Sequence, residues 1–201
     1  MMSKGRLEAF SDGVLAVIIT IMVLELRAPH EAGWEALRPL VPVFLSYVLS
    51  FVFLGIYWSN HHHLLQAAKH VNGTVLWANL HLLFWLSLVP FTTSWLGESQ
   101  FGTSGVVAYG VVLLCSGCAY YILSRALIAL HGRESAIAAA VGADTKGLVS
   151  IAMYAIAIPF AFWLPIVSSA LYVAVAIMWL VPDRRVERVL ATRGDHHGLN
   201  Q

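Results

Sequence analysis

Four stretches of this chain, residues 39–68, 70–97, 99–124 and 147–182, contain no Asp, Glu, Lys or Arg at all. Each exceeds the roughly 18–20 residues that an α-helix needs to cross the hydrocarbon core of a bilayer. The last holds Pro159 and Pro165 and is long enough for two short spans joined by a tight turn. Only 11% of the 201 residues are charged, less than half of the roughly 25% usual in soluble domains. These runs predict an all-α integral membrane protein.

A further span precedes them, and it is unusual. Arg6, Glu8 and Asp12 lie directly ahead of the uncharged run 13–24, and Glu25 closes it. An ionisable group at membrane depth costs several kcal/mol unless it is paired or faces water. The first helix is therefore expected to face inward rather than toward lipid. The predicted spans are 4–26, 42–68, 73–96 with a kink at Pro90, 106–130, 148–164 and 166–181, six in all. Pro29 ends the first span. Residues 30–37, with Trp34, form an interfacial connection, 97–105 a polar outer loop and 134–146 an amphipathic inner one.

With the N-terminus inside, ten basic residues face the cytoplasm: Lys4, Arg6, Lys69, Arg125, Arg133, Lys146, Arg184, Arg185, Arg188 and Arg193. Only Arg27 and Arg38 face outward. The positive-inside rule then puts both termini of this multi-pass cell-membrane protein in the cytoplasm. Residues 1–190 form one six-helix transmembrane domain and 191–201 a flexible tail. Glu8 and Asp12 interrupt the early segment and no small-residue cleavage site follows, so it reads as an uncleaved anchor. Cys115 and Cys118, at i and i+3 on a helix, are poorly placed for a mutual disulfide and read as packing residues.

This topology gathers Arg6, Ser11 and Asp12 with Trp58, His61, His62, His63, Asn79 and His81 near the inner surface. Imidazoles and a carboxylate suit a transition metal, but consecutive helical residues point about 100° apart, so His61, His62 and His63 cannot all ligate one ion. A proton relay is a second reading, because histidine titrates near neutral pH. A polar lock between spans one, two and three is the third, and it satisfies every group.

Higher on the first span, Val17, Thr20 with Ile21, and Leu24 share one helix face. An apolar stripe alone reads as packing. Bracketed by Asp12 and Glu25, it reads as a cation path narrowed by a hydrophobic constriction. One helix cannot enclose a pore, so several subunits have to supply it around a symmetry axis.

The segment Arg6-Leu-Glu-Ala-Phe10-Ser11-Asp12-Gly13 resembles the Arg-x-x-x-Phe-Ser-Asp signature of the endosomal/lysosomal potassium channel family (transmembrane protein 175 family). Tyr57-Trp58-Ser-Asn-His61-His62-x-Leu64, Asn79-Leu80-x-x-Leu83 and Pro90-Phe91-x-Thr93 extend the likeness in the same order. The length resembles that of prokaryotic members with one six-helix repeat. The resemblance implies a homotetramer in which the first helix of each subunit lines the pore. It implies a constriction at Val17, Thr20, Ile21 and Leu24, where Val17 is smaller than the Ile or Leu common in the family and leaves a wider first ring. It also implies a packing network of Arg6, Asp12 and His61 or His62, with Phe10, Ser11, Trp58, Asn79 and His81 around it.

The expected function is passive conduction of potassium and other monovalent cations. The chain has no Thr-Val-Gly-Tyr-Gly filter, so selectivity by carbonyl rings is not expected. The rival reading is a proton-conducting pathway or proton-coupled secondary transporter using Asp12 and His61–His63. Against alternating access, the sequence shows no inverted repeat. No enzyme chemistry, bound cofactor, resident metal or nucleic-acid partner is expected; the partners are the ions, the bilayer and the other subunits.

Overall fold

A computed structural model of the chain describes residues 3–29, 33–142 and 144–180. The expected tail, 191–201, and the last residue of the predicted sixth span lie outside the described residues. Every regular element is helical among them: α1 (Lys4–Met22), α2 (Val41–Ala67), α3 (Gly73–Ser87), α4 (Val89–Glu98), α5 (Thr103–His131), α6 (Ala136–Val141), α7 (Thr145–Phe160) and α8 (Pro165–Leu180).

Local chemistry sets the boundaries. The Ser3 hydroxyl accepts from the Arg6 amide at the start of α1, and the Asn72 side chain accepts from the Val75 amide at the start of α3, each filling one of the orphan donors of a first helical turn. α1 tightens into a 3-10 turn, Val23–Glu25. The expected kink in the third predicted span is a break at Leu88, with Pro90 in the first turn of α4, where its missing amide hydrogen costs nothing. The second half of the expected interfacial connection, residues 34–37, belongs to a 3-10 helix, Trp34–Leu40. The inner connection likewise contains a short helix, α6, capped by the Ser135 hydroxyl. α5 ends at His131 because Gly132 follows with φ 89°, a region that glycine enters without strain.

Among the described residues, four continuous apolar stretches are long enough to cross a membrane: Lys4–Glu25, Trp34–Ala67, Gly73–Glu98 and Thr103–His131. Lys4–Glu25 is the charged first span. Helices α7 and α8 have 16 residues each, about 24 Å at 1.5 Å per residue, and form an antiparallel pair against α5. Their register on α5 follows from two close approaches: Gly110 lies under Ile158 and Tyr172, and Gly117 under Ile151. A methyl group at Gly110 would overlap the Tyr172 phenol.

The starts of α1 and α3 and the ends of α2 and α5 meet at one end of the bundle, here called basal. One apolar cluster fills that half around Leu7, Leu15, Leu54, Leu82 and Leu123. A second, aromatic cluster fills the other, around Phe53, Tyr109, Tyr154 and Tyr172.

Candidate functional site: the two faces of the first helix

Helix α1 buries Leu7, Ser11, Leu15, Ile18 and Met22, one face at i, i+4, i+8, i+11 and i+15. The opposite face carries Phe10, Gly13, Val17, Thr20, Ile21 and Leu24, all exposed. Val17 is 54% exposed and Leu24 74%. In the single chain, one polar serine is packed inside among Leu7, Leu15, Ile18 and Met22, and further large apolar side chains are outside.

Ser11 is buried at no cost because its hydrogen bonds are complete. Its hydroxyl donates to the Leu7 carbonyl at 2.8 Å and accepts from the Asn79 side-chain nitrogen at 2.9 Å. The Asn79 oxygen meets His61 Nε2 at 2.6 Å. The polarity of the chain is thereby set: an amide that donates to Ser11 has its oxygen free, so His61 Nε2 carries the proton and donates. Ser11, Asn79 and His61 are all buried, on α1, α3 and α2, so this one chain ties three helices together. It stops at the Leu7 carbonyl.

The other polar residues of the predicted network stand apart from it. Asp12 is half-buried and accepts from Trp58 Nε1 at 3.1 Å. His62 stacks on the Trp58 ring at 6.0 Å, and His63 meets His62 edge-on at 5.8 Å. His81 accepts from Trp85 Nε1 on its own helix at 2.9 Å. The Arg6 side chain is exposed; the one ion pair among the described residues joins Lys4 to Glu8, at 3.5 Å. Phe10 belongs to the exposed stripe, not to the network. The described residues contain no group of three or more His, Cys, Asp or Glu that could hold a metal ion.

Along the stripe, the Thr20 hydroxyl donates to the carbonyls of Ala16 and Val17, both at 3.0 Å. Its proton is committed to its own helix, so its lone pairs are what it presents outward. At the far end, Glu25 accepts from the Ser94 hydroxyl at 3.0 Å, which fastens the end of the stripe to α4. An open apolar groove runs beside the stripe, between Phe10, Val17 and Ile21 of α1 and Pro90 and Phe91 of α4.

Sequence reasoning missed three features. Gly13 belongs to the stripe: it is exposed, with nothing within 4 Å of the position a Cβ would take. Its i+4 spacing to Val17 was the available signal. A hydroxyl chain in the second half of the bundle runs from Thr93 to Ser50 at 2.6 Å and from Ser50 to Tyr109 at 2.9 Å, joining α4, α2 and α5. Such pairings across long sequence separations leave no local pattern. His131, discussed below, was also missed.

A helical bundle with four membrane-length apolar stretches among the described residues, and with a first helix that leaves a second apolar face exposed, defines a multi-pass membrane protein. The sequence profile described as Endosomal/lysosomal potassium channel TMEM175 matches residues 6–90. A protein named as a potassium channel in Chryseobacterium sp. (strain P1-3) is 51% identical over 189 residues, covering 94% of this chain and 98% of that one. Another so named, in Streptomyces collinus, is 33% identical over 131 residues, covering 61% of this chain and 64% of that one. The fold matches the crystal structure of a lysosomal potassium-selective channel TMEM175 homolog from Chamaesiphon minutus with a TM-score of 0.77 and 25% identity, over 89% of this chain and 96% of that one. The chain belongs to the TMEM175 family of ion channels.

Proposed function

We propose that this protein is a potassium-permeable channel of the cell membrane in which four copies bring the exposed face of α1 together around a central path. The carrying observation is a second, uncovered apolar face on α1: Val17, Ile21 and Leu24 are exposed while the opposite face packs through Leu7, Leu15, Ile18 and Met22 and is hydrogen-bonded through Ser11. Lipid would also cover apolar residues. The stripe, however, lies on the helix that carries the family signature and runs between Asp12 and Glu25, ionisable groups whose hydrogen-bond donors, Trp58 and Ser94, are neutral, and lipid is a costly surrounding for such groups. A shared axis accommodates both. Cations gather at the acidic ends, shed part of their water at Val17, Thr20, Ile21 and Leu24, and meet the outward lone pairs of Thr20. A lower dehydration cost for potassium than for sodium gives modest selectivity.

In this reading α7 and α8 are the fifth and sixth spans. Their register on α5 supports it, because the turn between them lies level with the first turns of α5 and Thr145 lies level with about Leu123. That is about 20 residues of α5, or about 30 Å, the thickness of the hydrocarbon core. Both termini are then cytoplasmic, with the basal end inside. The proton-pathway reading has less support, because the buried chain from His61 ends on a carbonyl of α1 and Asp12 is bonded outside it.

Purified protein in liposomes provides the test. Potassium flux should follow the electrochemical gradient and change when Val17, Ile21 or Leu24 is replaced. Flux strictly coupled to protons and indifferent to those residues would sink the channel reading.

A further inference from the structure

The linker between α2 and α3 is anchored in the core by Ala68 and Val71, and at the basal end its Lys69 and His70 amides meet one side chain of another helix, His131, in the last turn of α5. Its Nε2 lies 3.1 Å from the Lys69 amide nitrogen and 3.4 Å from that of His70. Its Nδ1 lies 3.0 Å from the Leu127 carbonyl oxygen. Backbone amides only donate and a carbonyl only accepts, so the roles follow. Nδ1 carries the proton and donates to Leu127, while Nε2 is a bare acceptor for the linker. This geometry belongs to neutral imidazole alone.

We propose that His131 is an acid-released latch on the α2–α3 linker. A proton added at Nε2 turns the acceptor into a donor facing two donors, and the contact becomes repulsive. Imidazole is the side chain that makes this change between pH 5 and 8. The basic neighbours reinforce the release: on the linker stand Lys69 and His70, whose ring centroid is 4.7 Å from that of His131. Arg133 and Glu134, of opposite charge, follow α5 directly and offset one another. Neither α6 nor the first turn of α3 contributes a titratable group.

The latch reaches the first helix. Lys4 Nζ donates to the Gln66 carbonyl at 3.2 Å, immediately before the linker, while pairing with Glu8. Resting on the reading of α1 as the pore helix, the latch regulates conduction: held, it steadies the base of α1, and released by acid on the basal side, it lowers flux.

Amide hydrogen exchange on the intact protein in lipid nanodiscs tests the latch, with rates corrected for intrinsic chemistry. Between about pH 7.5 and about pH 5.5, protection of the Lys69 and His70 amides should fall on the order of tenfold, as expected for one lost hydrogen bond. In His131→Gln, whose amide oxygen accepts but does not titrate, protection should persist at both pH values. His70→Ala should respond as wild type does. Protection independent of pH in the wild type overturns the latch, and so does a pH response that survives in His131→Gln but vanishes in His70→Ala. Potassium flux from liposomes, with acid applied on the basal side, reads the regulatory role separately. It should fall at least about twofold in wild type and hold steady in His131→Gln. Changed exchange with steady flux overturns the regulatory role. Absent flux at every pH overturns the channel reading instead and leaves the exchange result to judge the latch.

Discussion

The two faces of α1 are both largely apolar and differ in what covers them: one packs into the bundle through Leu7, Leu15, Ile18 and Met22, and the other is exposed. The packed face contains a serine whose hydrogen bonds lead through Asn79 to His61. The free face contains Val17, Ile21 and Leu24. A buried polar chain is stabilising only when every member is satisfied, because each orphan costs its full desolvation. Apolar groups carry no such requirement and can wait for lipid or for another subunit. One helix can thus be fixed by a satisfied polar residue within an apolar packed face and still leave a second apolar face exposed.

The strongest challenge to this division is Asn79→Ala. It strands the His61 Nε2 proton and leaves a small cavity, for an expected loss of about 2–4 kcal/mol, read as a lowered unfolding temperature in detergent. A loss below about 0.5 kcal/mol would mean that the packed face does not depend on its polar chain.

Ile21→Ser on the other face should behave oppositely. Stability should stay within about 0.5 kcal/mol of wild type, while liposome potassium flux rises roughly tenfold, equivalent to about 1.4 kcal/mol off the barrier. Loss of stability without altered flux would reassign the stripe to packing.

Trp58→Phe separates Asp12 from its partner at an exposed site. It should cost no more than about 1 kcal/mol by thermal unfolding, well below Asn79→Ala. An equal cost would show that Asp12 belongs to the same cooperative unit as Asn79.

The smallest effect is expected for Thr20→Val, which keeps shape and removes the outward lone pairs. Fluxes measured with potassium and with sodium should show the potassium preference falling about twofold to threefold. An unchanged preference would confine the role of Thr20 to its own helix.

Much of the scaffold was legible in the sequence, because a bilayer penalises charge and unpaired backbone so heavily that uncharged runs map onto helices almost by themselves. The kink expected at Pro90 is a break at Leu88, one residue ahead of α4, with Pro90 in that helix's first turn. The helical turn at Trp34–Leu40 was not legible, since a short 3-10 segment has no periodicity long enough to read. Of the site, the stripe from Val17 to Leu24 could be read from helical spacing. The partners of Asp12 and His61 could not, because several indoles, imidazoles and amides lie within reach of each and sequence ranks none above another.

By itself, then, the sequence determined that the chain is helical and membrane-spanning, where its helices break, and that α1 differs from the rest. Composition and period suffice for these, because each depends on residues adjacent along the chain. Only the tertiary structure decided that Ser11 joins Asn79 and His61, that Trp58 takes Asp12, that Phe10 sides with the stripe, and that His131 accepts from the linker. Those choices depend on helix rotation and side-chain direction, and a shift of one residue in register would have given every polar group a different partner.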